Sequence, residues 1–271
     1  MKLYGFWRSL ATYRVKVALA LKGMKVDEVS IDLLKGMQHQ PDYKAVNPQA
    51  VVPSLVLDEG GPPLFQSMAI MEWLEEMKPQ PPLLPRDPRG RARVRGLALI
   101  AAADGHPLVV EGGPPLFQSM AILEYLEETH PNPALLPRDP LGRARVRGLA
   151  QIVVSDGHPL VVPRIRGYLE KEMHQDEPAR NKWLAHWTQH ALEALEAHLS
   201  KEKETGRFSH GDAPTLADVC LASQVFGAKF FNVDTARFPT VMRVFGECMK
   251  IDAFDRSQPS KQPDAPKTPS H

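Results

Sequence analysis

Residues 52–77 read VPSLVLDEGGPPLFQSMAIMEWLEEM, and this stretch decides the fold of the first part of the chain. VPSLVLD, entered through Pro53, predicts a β-strand, and the GGPPLF that follows predicts a turn and a second, short strand. QSMAIMEWLEEM then has the apolar spacing of a helix. The stretch therefore predicts two strands joined by a tight turn, with a helix leaving the second strand.

Residues 59–77 of this stretch belong to a longer segment that occurs twice in the chain. Residues 59–110 align with residues 111–162 without a gap, and 41 of the 52 positions are identical. Two copies with flanks that do not repeat are too few for a solenoid. We interpret the repeat as a tandem duplication of a strand–helix–helix segment; a splice of two close relatives and a deliberate insertion are the open alternatives. Removing one copy leaves 219 residues with an uninterrupted order of predicted elements.

Outside the repeat, the chain divides into a mixed part and a helical part. KLYGFW (2–7) and VDEVSID (26–32) predict strands, YRVKVALALKG (13–23) predicts a helix, and nearly everything after residue 163 is helical in pattern. We predict an α/β domain over 1–80. The linker, the first helices and the repeated segment follow over 81–162, an all-α domain over 163–255, and a flexible tail over 256–271.

Composition excludes several classes of function. The chain has 33 Lys and Arg against 32 Asp and Glu, so its charge gives no reason to expect binding to nucleic acid or to an anionic membrane. No apolar run reaches the roughly 18 residues of a membrane span. Cys220, Cys248 and the ten histidines show neither a disulfide framework nor metal spacing, so we expect no metal site and a reducing, cytoplasmic setting.

Four motifs resemble the zeta class of the glutathione transferases. Residues 9–23, SLATYRVKVALALKG, follow the class pattern S-S-x-S-W/Y-R-V-R-I-A-L-x-L-K-G, and similar matches are NPQAVVPSL (47–55), QSMAILEYLEE (118–128) and GDAPTLADVCL (211–221). The resemblance covers nearly the whole chain apart from one surplus unit of the repeat. It implies a fold class of α/β plus all-α: a thioredoxin-like N-terminal domain followed by the helical C-terminal domain of that family.

The resemblance also implies an enzyme that uses glutathione as its cofactor. The typical activity of the class is the cis–trans isomerisation of maleylacetoacetate to fumarylacetoacetate in aromatic amino-acid catabolism, by addition and elimination of the glutathione thiolate. The implied partners are a small dicarboxylate substrate and a second copy of the chain in a homodimer, whose interface the repeated segment would alter. The alternatives are a maleylpyruvate isomerase, a general transferase or dehalogenase of α-halo acids, and a non-catalytic relative remodelled by the duplication.

The candidate thiolate site is the start of the first helix, where free N–H groups and the helix dipole favour an anion. The resemblance places the catalytic serine of the class at Ser9 and offers Thr12 as a second catalytic hydroxyl. Taken alone, Ser9 could equally be an ordinary N-cap residue. Ala11, which replaces a frequent cysteine of the family, and Arg14 are expected to border the glutathione.

The rest of the glutathione site is expected at two further places. Val52 and Pro53 are expected to form a cis peptide bond in this fold, exposing the Val52 backbone to pair with the cysteinyl part of glutathione like an added strand. The pairs Gln66-Ser67 and Gln118-Ser119 each open a helix, where N–H groups and a hydroxyl can receive the γ-glutamyl carboxylate. One sheet offers one slot, and the short connection from the preceding strand favours the first copy.

Three other residues are weaker candidates for contact with glutathione or substrate. Gln38 lies where the family contacts the glycine end of glutathione. His106 and His158 stand in the DGHPLVV of each copy, near the mouth of the family's substrate pocket. A surface histidine before a proline-induced helix kink is the alternative for both histidines.

Overall fold

The computed structural model describes residues 1–7, 9–102, 107–108 and 116–262. The chain forms two compact units, Met1–Pro159 and Leu160–His271. The first unit continues past residue 80, where the sequence places the end of the α/β domain, because the helices of both repeats pack against one another there. Every candidate site residue that the structure describes lies in this first unit.

A four-stranded sheet forms the base of the first unit, in the order β2-β1-β3-β4. The strands are β1 (Lys2–Gly5), β2 (Asp27–Ser30), β3 (Ser54–Val56) and β4 (Leu64–Phe65). β1 and β2 are parallel, β3 runs antiparallel to β1, and β4 runs antiparallel to β3. Because β4 belongs to the first repeat, the expectation that the first copy completes the sheet is confirmed.

Helices cover both faces of this sheet, as the alternation of side chains along β1 requires. The helices of the first unit are α1 (Leu10–Leu21), α2 (Pro41–Val46), α3 (Ser67–Met77), α4 (Pro88–Ala102), α5 (Ser119–Thr129) and α6 (Pro140–Gln151). Leu3 is buried with α1 and α3, whereas its neighbour Tyr4 packs with Tyr43 of α2. The predicted thioredoxin-like arrangement is thus confirmed.

The repeated sequence does not always adopt the same structure. In the second copy, β6 (Leu116–Phe117) pairs antiparallel with β5 (Pro107–Leu108), which comes from the end of the first copy. The second copy of those β5 residues lies in a 3₁₀ turn, His158–Leu160, after a π-helical segment, Ile152–Gly157. Identical residues therefore form a strand in one copy and a helical turn in the other, which shows that tertiary context decides between them.

A buried ion pair fastens the first copy to α1. The Lys22 ammonium is fully buried and lies 2.5 Å from Glu75 Oε2 and 2.6 Å from the carbonyl oxygen of Pro81. Burial raises the pKa of Glu75, but the hydrogen bonds from Lys22 and from two backbone N–H groups outweigh it and hold that pKa below the ordinary value. The equivalent Glu127 of the second copy accepts hydrogen bonds from the matching backbone N–H groups, those of Leu135 and Leu136.

The second unit is helical, as predicted. It contains α7 (Pro163–Lys171), α8 (Glu177–Leu199), α9 (Leu216–Phe230), α10 (Pro239–Cys248) and α11 (Asp252–Arg256). The predicted capping box at the start of α9 is present, with Asp218 accepting hydrogen bonds from Thr215 N and Oγ1 at 2.7 and 2.8 Å. Within the described ranges, none of the helices combines the length and apolar character that crossing a bilayer requires.

Candidate functional site

A cavity of about 110 Å³ lies in the first unit, where the start of α1, the loop before β3, the start of α3 and the segment after α6 meet. It brings together residues from the N-terminal sheet region and from both repeats. Six of the residues expected from the sequence line it: Ala11, Arg14, Val52, Pro53, Gln66 and Ser67. The other lining residues are Val51, Met68, Gln151, Ser155 and Asp156.

The start of α1 carries the two predicted hydroxyls, which do different things. Ser9 is the N-cap residue, and its Oγ accepts a hydrogen bond from the Thr12 N–H at 3.1 Å. A hydroxyl that accepts one hydrogen bond still has its own proton to donate, so capping and stabilisation of an anion are compatible at Ser9. Its role towards a thiolate stays a prediction.

Thr12, in contrast, is packed into the interior. Only 1% of its surface is exposed, and its Oγ1 accepts a hydrogen bond from the Phe6 N–H at 3.4 Å. A Cβ at Gly5 would stand 2.5 Å from Thr12 Cγ2, so β1 and α1 approach closely only because residue 5 is glycine. This burial gives Thr12 a packing role and offers no structural support for its use as a second catalytic hydroxyl.

Arg14 and Ser67 form the positive end of the cavity. The Arg14 guanidinium donates from Nε and Nη2 to Ser67 Oγ at 3.2 and 3.1 Å, and burial lowers the pKa of that guanidinium. Ser67 is the first residue of α3, where the N–H groups of the first helical turn have no intrahelical partner. Gln66 precedes it with φ 66°, a conformation that non-glycine residues rarely adopt and that is often found at functional sites. A hydroxyl, a guanidinium and a helix N-terminus at one point suit a carboxylate.

An anionic group lies next to this positive end. Gln66 Nε2 donates to Asp156 Oδ2 at 2.6 Å and to Gln49 Oε1 at 3.1 Å, and the Gln49 amide also donates to Asp156. Asp156 lies in the π-helical segment after α6, a form of helix often found at functional sites. Sequence reasoning missed both Asp156 and Gln49. The signal was that Asp156 stands two residues before His158 and that Gln49 lies inside the matched motif NPQAVVPSL.

The second Gln-Ser pair folds like the first but lies elsewhere. Gln118 has φ 73° and α5 begins at Ser119, which repeats the turn before α3. Gln118 is buried and Ser119 is exposed, and neither lines the cavity that contains Arg14. Of these two pairs, the first therefore lies at the cavity, and its role in binding glutathione stays a prediction.

The remaining candidates stay predictions. Val52-Pro53 is a cis peptide bond, as expected, and both residues line the cavity. Gln38 lies in a 3₁₀ turn, where its Nε2 donates to Leu33 O at 3.5 Å, and it does not line this cavity. His158 is exposed at the start of its turn, and His106 lies outside the described residues.

Comparisons with known proteins agree with this geometry. A family model for the N-terminal domain of glutathione S-transferase matches residues 1–76. A maleylpyruvate isomerase from a Ralstonia species is 37% identical over 265 residues, which cover 98% of this chain and 100% of the relative. A maleylacetoacetate isomerase from Pseudomonas aeruginosa is 34% identical over 268 residues, which cover 98% of this chain and 99% of the relative.

A solved structure is also similar. It is a maleylacetoacetate isomerase from Anaeromyxobacter dehalogenans 2CP-1 with dicarboxyethyl glutathione and citrate bound in its active site. It is 33% identical, has a TM-score of 0.52, and the match covers 98% of this chain and 94% of that one. The chain therefore belongs to the glutathione S-transferase family, and maleylpyruvate and maleylacetoacetate isomerases are among its relatives.

Proposed function

We propose that the chain is a glutathione-dependent isomerase that converts maleylacetoacetate to fumarylacetoacetate. The observation that carries the proposal is the pairing of charges in the cavity. Arg14, Ser67 and the start of α3 form a positive end, and the Asp156 carboxylate lies on the other side of the Gln66 amide. A zwitterionic amino-acid group, such as the γ-glutamyl end of glutathione, presents a carboxylate to the first and an ammonium to the second.

The neighbouring backbone suits the rest of the tripeptide. Val52 and Pro53 line the same cavity directly before β3. An extended peptide laid along this segment can pair with the Val52 backbone as a strand pairs with a sheet edge. The γ-glutamyl carboxylate at Ser67 and the cysteinyl backbone at Val52 would then direct the sulfur towards the start of α1.

Ser9 is the residue placed to hold that sulfur as an anion. Glutathione, when bound, supplies a thiolate that adds to the cis double bond of the substrate and leaves after rotation, so it is neither consumed nor oxidised. Ser9 can donate its proton to the thiolate while its lone pair caps α1, and the positive end of the helix adds to the effect. Ser9 thus favours the ionised sulfur without itself being deprotonated.

The proposal includes a reducing, cytoplasmic setting, and the cysteines support it. Neither Cys220 nor Cys248 is in a disulfide in the described part of the chain, and both are buried. Burial raises the pKa of each to about 12, so neither thiol is poised to act as a nucleophile or to oxidise readily. The sulfur chemistry is accordingly assigned to glutathione.

The test is an isomerase assay with the purified full chain. Maleylacetoacetate is supplied with and without glutathione far below the substrate concentration, and formation of the trans product is followed together with the remaining glutathione. We expect turnover only with glutathione, saturation at low glutathione, and full recovery of the free thiol. A chain that binds glutathione in a titration but gives no turnover above the uncatalysed rate would refute the isomerase and leave a binding protein.

Maleylpyruvate is the second candidate substrate. The Ralstonia maleylpyruvate isomerase is 37% identical to this chain, against 34% for the Pseudomonas maleylacetoacetate isomerase. Both reactions leave glutathione unchanged, so recovery of the thiol does not distinguish them. Measuring kcat/KM for both substrates on one preparation does. A third arm with an α-halo acid detects transferase or dehalogenase activity through halide release.

A further inference from the structure

The two repeats contact each other reciprocally. α3 of the first copy packs on α6 of the second, and α5 of the second copy packs on α4 of the first. Since α5 and α6 are the second copies of α3 and α4, each of these contacts is the image of the other. The strands follow the same rule, because α6 packs on β4 and α4 packs on β6.

The ion pairs between the copies obey the same reciprocity. Glu76 Oε1 of the first copy accepts from Arg147 Nη1 at 2.7 Å and from Arg143 Nε at 2.9 Å. Glu128 Oε1, the second copy of Glu76, accepts from Arg95 Nη1 at 2.6 Å and from Arg91 Nε at 2.9 Å. The two arginines on each side are themselves copies of the other two, 52 positions apart.

Each copy also contains an arginine–glutamate ion pair of its own, and the same pair occurs in both copies. Arg95 donates from Nε and Nη2 to Glu72 at 3.0 and 2.9 Å, and Arg147 makes the same fork with Glu124 at 2.7 and 3.0 Å. Arg95 and Arg147 are only 4% and 3% exposed. Two matching forks thus stand side by side in the interior of the four-helix cluster.

A small cavity marks the centre of this arrangement. Its volume is about 20 Å³, and its ten lining residues are five pairs of positions 52 apart. Among them are Met68 with Met120, Glu72 with Glu124, and Arg95 with Arg147. Four of the five pairs are identical residues and the fifth is Leu99 with Gln151. A cavity lined twice by the same positions is what a local two-fold axis produces.

This pattern is that of an isologous interface, in which residue i contacts j and j contacts i. Such interfaces normally join two identical chains. We propose that the second repeat serves this chain as a built-in partner. A chain with one repeat uses this contact to join a second copy of itself. Here both sides of the contact belong to the same chain, which is therefore a monomer. The homodimer implied by the family resemblance is thereby replaced.

The candidate site depends on the same contact. Gln66 and Ser67 come from the first repeat, whereas Gln151, Ser155 and Asp156 come from the second. A chain with one repeat brings these two groups together only if its α3 meets the equivalent of α6 from another chain. Covalent linkage makes that meeting intramolecular, so dilution does not dissociate it.

The experiment compares the full chain with a chain that lacks residues 59–110, in which Asp58 is joined to Glu111. Both are measured by size-exclusion chromatography with light scattering over a wide range of concentrations. We expect the full chain to show its own mass of 30.2 kDa and the 219-residue chain to show twice its own mass. A full chain at twice its mass, or a folded one-repeat chain at its single mass, would overturn the proposal.

A substitution shows which surface is used. Glu128→Arg in the one-repeat chain sets like charges opposite Arg143 and Arg147, so we expect its dimer dissociation constant to rise roughly tenfold or more. The same substitution in the full chain should leave the mass at 30.2 kDa. An unchanged dimer in the substituted one-repeat chain would refute the assigned surface. If the first deletion does not fold, deletion of residues 111–162 provides an independent one-repeat chain, and the mass of the full chain decides the proposal in either case.

Discussion

Replacing Ser67 by alanine should weaken glutathione binding sharply, whereas the same change at Ser119 should not. Both serines begin a helix after a glutamine with positive φ, and both stand in the sequence FQSMAI. They differ in surroundings, because Ser67 is buried against Arg14 and Ser119 is exposed. The pair therefore tests position while the residue type and local sequence stay the same.

The size of the effect follows from the contacts. Ser67 Oγ accepts two hydrogen bonds from the Arg14 guanidinium and can donate its proton to a carboxylate. Hydrogen bonds that involve a charged group contribute about 1.5–3 kcal/mol, so we expect the dissociation constant of glutathione to rise roughly 10- to 150-fold in Ser67→Ala. Ser119→Ala should stay within about twofold of the unsubstituted chain, as exposed positions usually do.

Isothermal titration calorimetry with glutathione measures both constants, and thermal unfolding of each variant shows that the binding loss is not a loss of fold. A Ser67→Ala chain that binds within about twofold of the unsubstituted chain would contradict the carboxylate site. Equal losses in both variants would contradict the assignment of the site to the first repeat.

Three further substitutions test other parts of the account. Ser9→Ala should lower kcat/KM roughly 100-fold and shift the acidic limb of the pH–rate profile upward, whereas Ser9→Thr keeps the hydroxyl and should keep most of the activity. Glu75→Gln leaves the buried Lys22, which follows α1, without its counter-ion and should cost about 3 kcal/mol in the free energy of unfolding by urea at neutral pH, with Glu127→Gln as the milder control. Because the folded pKa of Glu75 is held below the ordinary value of a glutamate, this stabilisation is present above that ordinary value and is lost as the pH falls through the folded pKa, so the two chains should converge in acid. Gly148→Ala places a Cβ 3.0 Å from the ring of Phe65 in β4 and should lower the free energy of unfolding by urea by about 1–3 kcal/mol. Gly167→Ala, where a Cβ would have no neighbour within 4 Å, should leave that free energy undiminished.

Local patterns in the sequence were sufficient for much of the fold and for part of the site. The strand that enters through Pro53, the helix starts at Ser9 and Ser67, and the capping box at Thr215 each depend on residues close together in the chain. The preference for the first repeat in the sheet rested on a short connection from β3, which the pairing of β3 with β4 confirms. Capping and strand propensity act locally, so spacing alone could indicate them.

The parts that the sequence did not indicate depend on long-range packing. Asp156 reaches Gln66 across 90 positions because α6 packs on α3, and no local spacing records that contact. The repeated Pro-Leu pair is a strand at Pro107–Leu108 and part of a 3₁₀ turn at residues 159–160, and this difference depends in the same way on what each copy contacts. The burial of Thr12 likewise depends on the glycine opposite it in β1, which the local sequence did not indicate, and its role as a second hydroxyl of the site stays a prediction.

The most direct measurement of the central claim is the number of glutathione molecules that one full chain binds. The sequence offers two Gln-Ser helix starts, but only the first lies with Arg14, Val52 and Asp156 around one cavity. Calorimetric titration of the full chain should therefore give one site per chain, and glutathione binding at that site should weaken in Ser67→Ala and stay unchanged in Ser119→Ala. Two sites per chain, or no binding by a chain whose circular dichroism shows it folded, would contradict the account.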